Sequence, residues 1–191
     1  MATIFIDLIG VAVRAPASLK DMIKEVAPHK MDGEIDAALR RFQAGLMKRD
    51  EFWETLGIEN WERAEADVMR KVKPDPALSE AIGYLKRKNH TIVLVAEVPS
   101  AWVEIILRHN HLEHYFDRSY STADLKATKR QATAYKKLVG EYGDSMLIDN
   151  EIDNLRAARS AGMATVLVGK PDGVFKPDFA IGSLREIKNI L

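Results

Sequence analysis

The stretch LIDNEIDNLRAARSAGMATVLVG, residues 147–169, changes its periodicity twice. It enters from an apolar run, SMLID (145–149), which ends on a carboxylate. A helical pattern follows over 151–160, and ATVLV (164–168) is again an apolar, β-branched run. Gly162 stands between the helix and the second run, where a helix C-cap is expected. Strand, helix and strand in this order predict two parallel strands joined by a right-handed crossover.

The same alternation extends upstream. A helix over 76–88 leads to the buried strand TIVLVAE (91–97), and Pro99 and Ser100 open a helix through Ile105, Ile106 and Leu107. A short strand RSYST (118–122) and a helix at about 130–141 then lead back to residue 145. At the start, residues 2–8, which run into IFIDLIGVAV (4–13), are expected to form a fully buried strand that ends towards Gly10. The class predicted is α/β: a doubly wound, mainly parallel Rossmann-like sheet with helices on both faces. Ligands bind such sheets at the carboxyl ends of strands, where Asp7, Glu97 and Asp149 fall.

Between the first two strands the pattern is helical throughout. Leu19, Met22, Ile23 and Val26 share one face, as do Ile35, Leu39, Phe42 and Leu46, with Gly45 as a stop. Asp50 is expected to cap a third helix that Gly57 closes, and a fourth runs from Asn60 to Val72; Pro74 and Pro76 end the block. This predicts a small helical cap, residues 15–74, inserted into a core formed by 1–14 and 75–191.

With 28 basic and 28 acidic residues, no overall field recruits nucleic acid or an anionic membrane. The absence of cysteine removes disulfides and thiolate metal sites and agrees with a reducing compartment. No window reaches the ~20 apolar residues of a membrane span, and Asp7 interrupts the first apolar run. A cytoplasmic protein of unknown oligomeric state is expected.

Four segments, in order and spacing, resemble the motifs of the haloacid dehalogenase superfamily, over nearly the whole chain. The first, an apolar strand ending in Asp-x-Asp-Gly, reads Asp7-Leu8-Ile9-Gly10. The second, a strand ending in Ser or Thr, reads LVAEVPS with Ala96 at the hydroxyl position, and the third, a lysine before a helix, is Lys129 in TKRQATAY. The fourth, an acidic pair at a strand end followed by a helix and Ala-Gly-Met, is the stretch quoted above.

The resemblance implies an aspartate nucleophile at Asp7. It implies that Lys129 offsets the negative charge gathered there, and that the phosphoryl group of a small phosphorylated molecule sits near Ala96, Glu97 and Lys129. It implies Mg²⁺ held by Asp7, the Ile9 carbonyl, Asp149 and Asn150, with Asp153 nearby; the amide of Asn150 makes that binding weak or abolishes it. Ile9 cannot act as the second aspartate does, and Ala96 lacks the hydroxyl. Three readings follow: a hydrolase with weak phosphatase activity, a non-catalytic binding or assembly protein, and a metal-independent dehalogenase-like hydrolase using Arg40 or Arg41.

Blander readings stand beside these. Asp7 and Asp149 also suit turns at strand ends, Glu97 a helix cap or a water-facing side chain, and Lys129 a lysine-rich surface. His109, His111 and His114 have spacings that place them on different faces, which is poor for zinc. Phe52, Trp53 and Trp61 read as cap packing, with a position at the pocket rim as the alternative.

Overall fold

A computed structural model describes residues 2–191. Its sheet has six parallel strands: β1 (Thr3–Asp7), β4 (Thr91–Ala96), β5 (Arg118–Ser121), β6 (Ser145–Asp149), β7 (Ala164–Val168) and β8 (Phe179–Ile181), in the order β5-β4-β1-β6-β7-β8. Two further strands, β2 (Val13–Arg14) and β3 (Lys73–Pro74), form a separate antiparallel ladder. Pro74, read from sequence as a break, is tolerated because this short ladder does not need its missing N–H.

Alternate residues of the strands feed two different cores. Ile4, Ile6, Leu94 and Ile148 face one, and Phe5, Val93, Val95 and Leu147 face the other. Helices cover both faces, which is why the strands read as continuous apolar runs rather than alternating ones. The first face is covered by α5 (Leu78–Arg87) and α6 (Ser100–His109), and the second by α8 (Ala132–Tyr142) and α9 (Ile152–Ser160). A short helix, α7 (Thr122–Leu125), follows β5 directly.

Four helices lie between β2 and β3: α1 (Leu19–Val26), α2 (Asp32–Gln43), α3 (Arg49–Thr55) and α4 (Trp61–Met69). Gly45 and Gly57 take the left-handed conformation just past α2 and α3, as helix stops require. Lys48, not Asp50, caps α3, because the Glu51 carboxylate reaches back to accept from the Lys48 N–H at 2.9 Å. Asp50 falls in the first turn, where its charge suits the helix dipole.

These helices are fused to the sheet by one continuous core that contains Met22, Ile35, Phe52 and Trp53 together with Ile6, Leu94 and Trp102. Among the described residues, no helix is long and apolar enough to cross a membrane.

Candidate active site

Parallel pairing aligns the ends of the three central strands. Asp7 pairs with Val95, one residue before Ala96, and Ile6 pairs with Ile148, one before Asp149. Asp7 and Asp149 therefore project from adjacent strand ends. The Lys129 ammonium, from the segment between α7 and α8, lies between them, in contact with Asp7 Oδ1 and 2.6 Å from Asp149 Oδ2. Lys129 and Asp149 are fully buried and Asp7 is 6 % exposed.

One ammonium cannot neutralise two carboxylates, so a surplus negative charge would be buried here. Burial pushes the Asp7 carboxyl up to about 7; the Lys129 charge pulls it down, and Asp149 adds to the rise. For Lys129, burial favours the neutral amine, but Asp149 and Asp7 together outweigh it and hold the lysine above its ordinary value. Glu97 is half-buried and also raised, mainly by burial.

Asp149 is held by its surroundings. Its Oδ1 accepts from the Glu151 N–H at 2.8 Å, and the Asn154 amide donates to Oδ1 and Oδ2 at 3.3 and 3.1 Å. Asn154 was missed in the sequence, although its place in the first turn of α9, beneath the strand end, marks it. Asp153 instead points outward and pairs with Arg156 at 3.1 Å.

Asp7, Ile9, Glu97, Lys129, Arg130 and Asn154 share a cavity of about 330 Å³. Its roof is Gln43, at the end of α2, whose side chain donates to the Glu97 carbonyl at 2.7 Å and whose own carbonyl accepts from Thr122 Oγ1 at 3.0 Å. This cap-to-core contact was not legible in the sequence. Ala96 is sealed from solvent at the end of β4. The Tyr135 hydroxyl, on α8, is buried without a hydrogen-bond partner, and the charges of Lys129, Asp149 and Asp7 act on it.

Asn150 lies to one side, with Ile9 and Gly10 in a second cavity of about 500 Å³. Gly10 has φ +97°, which favours glycine, and a Cβ there would stand 2.5 Å from Asn150 Nδ2 and displace that amide. For a divalent cation, Lys129, Glu151 and Asn154 take up the Asp149 oxygens and Lys129 takes Asp7 Oδ1. What remains is Asp7 Oδ2 and the Ile9 carbonyl on one side, and on the other, in the neighbouring cavity, Asn150 Oδ1, a buried oxygen without a partner. One charged atom among three fits Mg²⁺ poorly. Among the described residues, no three acidic, histidine or cysteine side chains stand together to hold a metal.

Comparison with known proteins agrees with this fold. An HAD phosphatase from Thermococcus onnurineus superposes with a TM-score of 0.72 at 17 % identity, covering 100 % of this chain and 97 % of that one. A Bacillus subtilis HAD-hydrolase bound to magnesium gives 0.69 at 16 % identity, and the L-2-haloacid dehalogenase of Xanthobacter autotrophicus with chloropropionic acid covalently bound gives 0.69 at 11 %; each pairing covers 100 % of this chain and 98 % of the other. No curated protein matches. At these identities the structures establish the fold alone. A sequence model described as haloacid dehalogenase-like hydrolase matches residues 15–168, which take in the helical block, Lys129 and the Asp149 strand end but begin after Asp7. On that match the chain belongs to the haloacid dehalogenase-like hydrolase family.

Proposed function

We propose that the Asp7–Lys129 cavity receives the phosphoryl group of a small phosphorylated metabolite and that Asp7 cleaves it slowly. The observation that carries this reading is the contact of Lys129 with Asp7 inside a cavity also lined by the apolar Ile9, with Ala96 buried behind it at the end of β4. Ionised Asp7 attacks phosphorus, the bond to the leaving oxygen breaks, and an aspartyl-phosphate forms. Lys129 balances the added negative charge. The leaving oxygen takes its proton from water, because Ile9 has none to give. Water then hydrolyses the acyl phosphate and frees Asp7.

Two missing groups, each worth about 10²-fold, lower a turnover of ~10 s⁻¹ to ~10⁻³ s⁻¹ if their losses add. The apolar character of Ile9 and Ala96 also supports a second reading, in which the pocket binds a phosphorylated ligand and turns nothing over. A screen of phosphate monoesters and 2-haloacids, with and without Mg²⁺ and beside Asp7→Asn, separates the two. Slow hydrolysis lost in Asp7→Asn is the expected result. Binding with no turnover leaves only the second reading.

A further inference from the structure

Beside the Asp7 cavity, and sharing Gln43, Glu97 and Arg130 with it, lies a larger groove of about 940 Å³ between the end of α2 and the segment 122–131. Three cations line it: Arg40 from α2, and Lys126 and Arg130 from the core segment. None of the three forms an ion pair among the described residues. Of the two acids that line the groove, Asp124 already accepts from the Ser121 N–H at 2.8 Å and Ser121 Oγ at 2.7 Å. The groove therefore presents more unengaged positive than negative charge.

Lys126 ends α7 in the left-handed conformation, φ 53° and ψ 34°, where glycine or asparagine is the usual residue. Asn89 and His111 take the same conformation past α5 and α6, so it marks a helix stop; a lysine there carries strain that glycine would not, and the residue lines the groove. Between the cations the lining is apolar, with Ala44, Ala127 and Leu46, which is 71 % exposed.

We propose that this groove binds a second anionic group of the ligand, a phosphate or carboxylate carried on a short apolar spacer, between Arg40 of the cap and Lys126 and Arg130 of the core. The proposal rests on the reading of the Asp7–Lys129 cavity as the phosphoryl pocket, since that fixes the ligand's other end. The ligand class is then a bifunctional organic anion rather than a simple monoester.

The test uses non-hydrolysable probes in calorimetric titrations of the full chain: n-butylphosphonate, α,ω-alkanediphosphonates of increasing length, and ω-phosphonoalkanoates. A charge-assisted contact predicts that one diphosphonate length binds about tenfold or more tighter than n-butylphosphonate. Lys126→Gly is expected to remove most of that preference while raising the melting temperature, a pair of effects that a merely structural lysine would not give. Arg40→Ala is the second variant and should also reduce the preference. Equal affinity for mono- and diphosphonates at every length, or a preference untouched in both variants, overturns the proposal. The phosphonoalkanoates identify the second group: affinity equal to the diphosphonates assigns a carboxylate as sufficient, and weaker affinity assigns a phosphate. A chain that hydrolyses nothing but keeps a Lys126-dependent preference retains this site and loses only the hydrolytic reading.

Discussion

Lys129 and Asp149 form an ion pair of 2.6 Å with both side chains fully buried, and Asp7 meets the same ammonium from the neighbouring strand. Removing the lysine would leave two carboxylates facing one another without a cation. Breaking a buried pair on one side costs about 3–5 kcal/mol, so Lys129→Met should lower the unfolding free energy at pH 7 by roughly that amount. Asp7→Asn, which leaves the pair with Asp149 intact, should cost much less. Urea denaturation of both variants checks the order; equal stability of Lys129→Met and the wild type would contradict the buried triad.

The raised Asp7 carboxyl fixes a pH dependence. Its ordinary value is 3.8 and in the folded chain it stands at about 7, so the folded state holds this proton more tightly than the unfolded one. The stabilisation is complete below 3.8 and is lost as pH rises through about 7. Denaturation midpoints of the wild type should therefore fall across that window by more than those of Asp7→Asn. Any hydrolysis should rise over the same range, as Asp7 becomes the ionised nucleophile. Parallel stability profiles for the two proteins would count against the assignment.

The sheet was legible because strands buried on both faces leave unbroken apolar runs, and Asp7 and Asp149 stood out as charges at the ends of such runs. Other features left no such trace. The strand Phe179–Ile181 has only Ile181 buried, and the ladder of Val13–Arg14 with Lys73–Pro74 spans two residues, too short for a period to show. Gln43 acts through a hydrogen bond that exists only after distant segments meet, and Asn154 through one that depends on how α9 leaves the strand end. Spacing alone also could not tell that Asp153 points away from the site while Asn154 points into it.

Ile9 lines the cavity that holds Asp7 and Lys129, two positions beyond the aspartate. A carboxylic acid there can protonate a leaving group, and a positioned general acid is worth about 10²–10⁴-fold. Ile9→Asp should raise phosphate release from an alkyl phosphate monoester, whose leaving alkoxide needs a proton, by about 10²-fold. The gain should vanish when Asp7→Asn is added. An Ile9→Asp protein that folds but gains nothing would show that the missing acid is not what limits turnover.

Asn150 Oδ1 is buried, unpartnered and packed against the open face of Gly10. Asn150→Asp keeps the shape and adds an anionic oxygen to the cavity that Asn150 shares with Ile9 and Gly10, which a hard dication favours. Millimolar Mg²⁺ should raise the melting temperature of Asn150→Asp clearly more than that of the wild type. Calorimetric titration with Mg²⁺ should show the same order, and identical responses would mean that Asn150 does not limit cation binding.

Glu65 joins the cap to the core. Its buried carboxylate accepts from Trp102 Nε1 on α6 at 2.6 Å and from Trp53 Nε1 on α3 at 3.3 Å, and Arg49 Nε donates to both of its oxygens at 2.9 and 2.7 Å. The indoles lie in one aromatic cluster with Phe42 and Phe52, so the carboxylate is the acceptor that lets two N–H groups be buried there. Glu65→Leu orphans both donors at about 1–3 kcal/mol each, while Arg49, partly exposed, can turn to water. A loss of about 2–6 kcal/mol in urea denaturation is expected, with Glu65→Gln losing less because its carbonyl still accepts. Faster amide exchange along both α4 and α6 in Glu65→Leu would show the cap loosening from the core. Exchange confined to α4 would mean that the aromatic cluster alone holds the two together.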